Sequence, residues 1–246
     1  MNIVLLGHYD IASLTALARL VAAAPGHSYT AFLSGDLAPR DYPVRAFDEL
    51  ARQDRRYCYE LLHSGALPDA LQAGRPSPDP HSAEGLATLA ACDPDLVVSI
   101  RYRRILRGNA IAIPRHGVLN LHSGILPDYK GVMATFWAML HREAEIGATL
   151  HRIVDSGIDT GPVLGICRLE ARYDASYLAN VLALYGPGCE LFVHAIGTLA
   201  TGGTPETCPQ LAGGRYFSTP GNADVERFIA AGMTLADGNE FKASGD

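Results

Sequence analysis

Asn2-Ile3-Val4-Leu5-Leu6-Gly7 is an apolar run closed by a glycine. Apolar residues then return at Ile11, Leu14, Leu17, Leu20 and Val21, close to the spacing of one helix face. A short apolar strand, a turn and an amphipathic helix form the opening of a doubly wound sheet, so an α/β class is expected. Residues 29–33 read as the second strand, ending at Ser34-Gly35. Residues 47–63 predict a helix, and residues 74–80, with three prolines, predict a loop. Residues 82–92 read as a helix with Ser82 at its N-cap. Residues 95–100 and 117–122 are buried-strand candidates. Two more strands are expected over residues 149–154 and 163–169, with a turn-rich segment between them. Residues 175–185 and 187–199 predict two helical stretches, with Pro187 in the first turn of the second.

The chain has 246 residues with 20 basic and 26 acidic side chains, a formal net charge of −6. Apolar residues make up 48% and charged residues 19%, which supplies a core and excludes wholesale disorder. The negative balance argues against broad electrostatic binding to nucleic acid. No apolar run approaches the roughly 20 residues of a membrane span, and none of the start reads as a signal peptide. Cys58, Cys92, Cys167, Cys189 and Cys208 are scattered and form no CxxC pair. A disulfide framework or a metal site is not expected, and a reducing cytoplasm fits. Residues 1–200 are expected to form one domain, with 201–246 as a C-terminal extension too short to stand alone.

Chemistry concentrates in two places. In Asn120-Leu121-His122 an amide and an imidazole share one strand face at the strand's end, where open sheets bind ligands. The turn at residues 155–162 carries Asp155 and Asp159, and Asp159 is suited to stand beside His122 and stabilise its charged form. An Asn/His/Asp pocket suits acyl transfer: His relays a proton, Asn donates to an oxyanion, Asp orients His. A nucleophile elbow and a dinucleotide fingerprint are both missing, which weighs against serine hydrolysis and hydride transfer.

The block Gly117-Val118-Leu119-Asn120-Leu121-His122-Ser123-Gly124-Ile125-Leu126-Pro127-Asp128-Tyr129-Lys130-Gly131 resembles the central motif of the 10-formyltetrahydrofolate-dependent formyltransferases. A second signature of that family matches Gly147-Ala148-Thr149-Leu150-His151, continuing into Asp155-Ser156-Gly157-Ile158-Asp159-Thr160-Gly161-Pro162. The likeness is specific over residues 92–169 and looser over 1–35. It implies a Rossmann-like domain that moves a formyl group from 10-formyltetrahydrofolate to an amine without a metal. The implied catalytic trio is Asn120, His122 and Asp159. Asn120 and His122 would stabilise the oxyanion, and His122 with Asp159 would move the proton. The implied folate pocket falls on Arg104, Ile105 and Leu106, and on Asp155, Gly157 and Ile158. Gly124 departs from the family's usual residue, and the run Arg101-Tyr102-Arg103-Arg104 is more basic than usual. It is read as a holder of the folate glutamate tail or of an anionic acceptor.

The resemblance leaves the acceptor open. The transfer-RNA branch carries a large extra C-terminal domain and a basic surface, neither expected here. The glycinamide-ribonucleotide branch holds a phosphate at the first turn, where Asp10 would repel it. A nucleotide-linked amino sugar is the leading expectation, with an amino-acid or hydroxyornithine-type precursor of a secondary metabolite as the alternative. Tyr9, Asp10 and Lys130 stand as acceptor-side candidates, and Tyr9, Trp137 and Tyr216 as rings able to stack on it. A formyltetrahydrofolate hydrolase or a non-catalytic folate binder fits less well. The former lacks its usual partner domain, and the latter would not need an intact trio. A homodimer is left open.

Overall fold

The structure is a computed structural model that describes residues 1–35 and 45–240. The rest of the chain, including 36–44 from the weakly patterned 36–80 stretch, lies outside the described residues. In chain order the elements begin with β1 (Asn2–His8), α1 (Ile11–Ala23), β2 (Ser28–Ser34), α2 (Arg45–His63), α3 (Asp69–Gln72), β3 (Arg75–Pro76) and α4 (Ala83–Ala91). They continue with β4 (Leu96–Ile100), α5 (Gly108–Ile111), β5 (Val118–His122), β6 (Tyr129–Gly131), α6 (Ala134–Leu140), β7 (Glu145–Ile153) and β8 (Val163–Glu170). The last are α7 (Tyr177–Ala200), β9 (Arg215–Phe217) and α8 (Asn222–Ala230).

Seven strands form one sheet in the order β3-β2-β1-β4-β5-β7-β8. The first five run parallel, and β7 is antiparallel to both of its neighbours. A parallel sheet covered on both faces needs apolar residues of both parities. In β1, Ile3 and Leu5 join the larger core while Val4 and Leu6 join the smaller one on the opposite face. Helices α1 and α7 contribute to the larger core through Leu14, Leu17, Tyr185 and Phe192, and Leu89 of α4 with Ala110 of α5 covers the other face. The mostly parallel, helix-flanked sheet is the α/β, Rossmann-like architecture expected. The chain leaves β1 toward β2 on one side, with β4 on the other, so the carboxyl ends of β1, β4 and β5 open on a crevice.

Three expectations need correction. The proline-rich loop contains the two-residue edge strand β3, which pairs with Phe32 and Leu33. Proline is tolerated at a sheet edge, where its missing N–H faces no partner strand. The two helical stretches are one helix, α7, with Pro187 in its interior. Proline forfeits one helical hydrogen bond and crowds the preceding turn. Gly186 and Gly188 flank it without side chains, and Tyr185, Cys189, Phe192 and Ile196 bury the helix against the core. Gly188 also makes room for β5, since a Cβ there would lie 2.8 Å from Leu121 Cδ2. Because the stretches fuse, α7 has 24 residues and meets the length and composition of a membrane span, contrary to the reading of isolated runs. It packs instead on α1, β7 and β8.

The segment after α7 folds back over the crevice. β9 pairs in parallel with β6, with Lys130 opposite Tyr216. Phe228 of α8 is fully buried and stacks on Phe136 at 4.5 Å between centroids.

Candidate active site

Asn120 and His122 leave the same face of β5, two residues apart, as strand geometry requires. The antiparallel neighbour β7 places His151 directly opposite Asn120 and Thr149 opposite His122. Asn120 Nδ2 lies 3.0 Å from His151 Nε2, and His151 Nδ1 lies 3.0 Å from the Arg152 carbonyl. Asp159 comes in from the turn between β7 and β8. Its Oδ2 is 3.3 Å from His122 Nδ1 and its Oδ1 is 3.4 Å from His151 Nε2. Two imidazoles thus converge on one carboxylate, and the Gly131 N–H donates to Asp159 Oδ2 at 2.8 Å.

His122 Nε2 faces the Tyr129 carbonyl at 2.6 Å. Both ring nitrogens therefore face oxygens that only accept. Burial works against the charge of Asp159. The His122 charge, the hydrogen bond and charge of His151 and the Gly131 N–H together overcome it and hold the carboxyl down at about 2. Asp159 also sits at φ 54°, a left-handed conformation uncommon outside glycine. Gln210 Nε2 donates to the carbonyls of Asp159 and Gly161, at 2.9 and 2.8 Å, and pins that turn from the C-terminal segment.

The loop after β5 is equally constrained. Thr149 Oγ1 donates to the Gly124 carbonyl at 2.7 Å and accepts from Leu126 N–H at 3.1 Å. A Cβ on Gly124 would lie 2.6 Å from His122 Nε2 and 2.6 Å from the Tyr129 oxygen. Glycine is therefore the residue that this tight loop admits.

A cleft of about 540 Å³ opens over these groups. Asn120, His122, His151 and Asp159 line it, as do Arg104, Ile105 and Leu106 from the loop after β4 and Asp155, Gly157 and Ile158 from the turn before Asp159. Asp155 Oδ1 accepts from Gly157 N–H at 2.7 Å, an Asx-turn that shapes this wall. The volume and the mixture of apolar wall and few converging polar groups suit a small-molecule ligand. Ile105 and Ile158 are exposed for apolar residues, at 48% and 38%, which fits walls that a flat ligand would cover.

The acceptor-side candidates are distributed differently. Asp10 lines the cleft but is spent on the fold, capping α1 through Ser13 N–H at 2.7 Å and pairing with Arg101 Nε. That pairing engages Arg101 Nε with Asp10, although Arg101 also lines the cleft. Tyr9 and Lys130 are not among the lining residues, and Lys130 Nζ donates to the Gly213 carbonyl at 3.0 Å. Trp137 stacks on Phe217 at 5.1 Å and donates to the Ser218 carbonyl, whereas Tyr216 stands at the cleft wall. Sequence reasoning gave no role to His151, Gly131 or Gln210. His151 carried a signal, since it is a polar residue of the same parity as Thr149 inside an apolar strand. The other two act through backbone or long-range contacts that no local pattern marks.

The structure is an α/β protein, a doubly wound sheet with Asn120, His122 and Asp159 gathered at its carboxyl edge. Residues 68–181, a little under half of the chain, match the family model for formyl transferase. A methionyl-tRNA formyltransferase of Deinococcus radiodurans is 35% identical over 136 residues, which is 54% of this chain and 42% of that protein. The chain spans between a quarter and a half of the curated relatives it matches. Among solved structures, a 4-N formyltransferase from Francisella tularensis is similar with a TM-score of 0.60 and 15% identity, covering 88% of this chain and 76% of that one. The formyltransferase PseJ from Anoxybacillus kamchatkensis, in complex with UDP-4,6-dideoxy-4-formamido-L-AltNAc and tetrahydrofolate, has a TM-score of 0.53 and 20% identity. That likeness covers 93% of this chain and 89% of the other and, like the first, supports the shared fold.

Proposed function

We propose that this protein transfers a formyl group from 10-formyltetrahydrofolate to the amine of a small-molecule acceptor, with a nucleotide-linked amino sugar as the leading class. The observation that carries the reading is the convergence of Asn120, His122, His151 and Asp159 on one cleft whose apolar walls fit a folate. The donor would lie against Ile105, Leu106 and Ile158 and would supply an activated formyl carbon. Asn120 Nδ2 and the His122 imidazolium then face the carbonyl oxygen as donors, where negative charge grows during attack. His122 gives up its Tyr129 contact or its Asp159 contact to do so. Asp159, ionised across the working pH range, orients His122, and the two together pass the proton lost by the amine toward the leaving nitrogen.

For the acceptor, the likeness to the UDP-sugar-bound formyltransferase supports an amino sugar. Tyr216 at the cleft wall, 57% exposed, offers a ring for stacking. The methionyl-tRNA formyltransferases that match in sequence support the same donor chemistry. The test is a mass-spectrometric screen of purified protein with 10-formyltetrahydrofolate. It would offer nucleotide-linked amino sugars, ornithine and hydroxyornithine, glycinamide ribonucleotide, methionyl-tRNA and no amine. A nucleotide sugar heavier by one formyl group supports the reading. Formylation of ornithine or of methionyl-tRNA alone overturns the acceptor class, and formate release without any amine overturns the transfer itself.

A further inference from the structure

The cleft has a second arm. Beyond His122 it passes the carboxyl ends of β4 and β1 and runs between the starts of α1 and α7 and the body of α2. Phe47 and Leu50 of α2 and Leu178 and Val181 of α7 give it apolar walls. Its floor is ionic, but most of that charge is already matched. Arg101 Nε reaches both oxygens of Asp10, at 3.0 and 2.9 Å, and the Tyr177 and Tyr185 hydroxyls also face the Arg101 guanidinium. Arg103 lies 3.6 Å from the same carboxylate.

Asp54 of α2 is different. Its Oδ1 accepts the Ile11 N–H, the first amide of α1, at 2.9 Å. Its other oxygen has no partner among the described residues, and no cation is paired with it there. A half-buried carboxyl with one oxygen free at a cleft wall is an acceptor without its donor, and such groups are costly to leave unmatched. The same carboxyl bars anions. The start of a helix attracts phosphate through its free N–H groups, but here Asp10 and Asp54 fill that place.

We propose that Asp54 is a specificity-determining residue for the acceptor: its free carboxyl oxygen takes a hydrogen bond from a second donor group, hydroxyl or ammonium, on a molecule whose reactive amine faces His122. The proposal rests on reading the cleft as a formyl-transfer site. Burial first, and the charge of Asp10 second, hold the Asp54 carboxyl up at about 7, against the pull of Ile11 N–H, Arg101 and Arg103. Cys58, on the same helix, and Tyr177 and Tyr185 of α7 are the other titratable groups facing this cluster. An ammonium therefore draws Asp54 into its ionised form and releases a proton near neutral pH, whereas a hydroxyl does not.

The experiment is calorimetric titration of the protein, alone and loaded with folinic acid, by butylamine, 4-aminobutan-1-ol, 1,4-diaminobutane and 4-aminobutyrate. The expected order places the diamine and the amino alcohol about tenfold tighter than butylamine, the scale of one charge-assisted hydrogen bond, with aminobutyrate weakest. Proton release, read by repeating the titration in buffers of different ionisation enthalpy, accompanies the diamine alone. Asp54→Asn keeps an oxygen for the Ile11 N–H. It is expected to erase the diamine preference and its proton release while leaving folinic acid affinity unchanged. Equal binding of all four probes, binding by none, or a diamine preference that survives in Asp54→Asn overturns the proposal. Failure of folinic acid to bind overturns the donor reading instead, and the order of the amines in the unloaded protein still reads Asp54.

Discussion

His122 faces two acceptors, and the Asp159 carboxylate faces the Gly131 N–H and two imidazoles, so the geometry of the pair is set before any ligand arrives. Asn120→Ala, His122→Ala and Asp159→Ala are each expected to lower kcat by about 10²–10³-fold, the usual loss for a missing oxyanion donor or proton-transfer group. Steady-state assays with the acceptor found in the screen check this, and near-normal turnover removes that residue from the trio. Asp159 also has a signature in stability. Its carboxyl falls from 3.8 to about 2 on folding, worth about 2 kcal/mol. A lowered carboxyl stabilises the fold at pH above 3.8 and loses that contribution as pH falls toward 2. Denaturant midpoints of the wild type and Asp159→Asn are therefore expected to converge between pH 4 and 2. A constant gap would mean that Asp159 is not held ionised by the fold. His151 touches both Asn120 and Asp159, and we treat it as a positioning residue. His151→Phe is expected to lower kcat about 10–100-fold at unchanged KM, with His151→Gln recovering part of the loss. A change confined to KM would contradict this. The convergence of Asn120, His122 and Asp159 was legible because two polar residues at strand spacing must share a face and a turn must follow. The pairing of His151 with Asn120 depends on an antiparallel register that sequence alone does not set.

At the scale of elements, the loop from β5 to β6 carries the precision of the site. Gly124 lies where any side chain would strike both His122 and the Tyr129 carbonyl. Gly124→Ala is expected to reduce kcat at least tenfold while the melting temperature moves by only a few degrees, because the clash is local. Full activity would show that the His122–Tyr129 contact is dispensable. The opening β-turn-α unit, the capped helix α4 and the strands β4, β5, β7 and β8 follow from local periodicity and turn residues. Helix α7 does not. Proline reads locally as a helix start, and the continuous helix exists because its apolar face buries against the sheet on both sides of Pro187. The strands β3, β6 and β9 were also illegible, since two or three residues carry no period and are fixed by the partners they meet.

At the scale of the molecule, a cleft of about 540 Å³ lies between loops of the sheet edge and a returning C-terminal segment. Folinic acid at a hundred times its Kd is expected to stabilise the native state by about 2.7 kcal/mol, raising the melting temperature by several degrees. Absence of any shift in thermal unfolding would argue against the donor assignment. The class of the fold could be read from the first two dozen residues. The closure of the site could not, because it joins stretches far apart in the chain. Lys130 sits opposite Tyr216, and Gln210 holds the turn of Asp159. This closure sets a timetable for synthesis. A nascent chain halted before Gln210 has Asn120, His122, Asp159 and the whole seven-stranded sheet, yet it lacks the Gln210 amide that pins the turn of Asp159 and the strand that pairs with β6. If the cleft is the formyl-transfer site proposed above, competence arrives late, once the last short strand has left the ribosome.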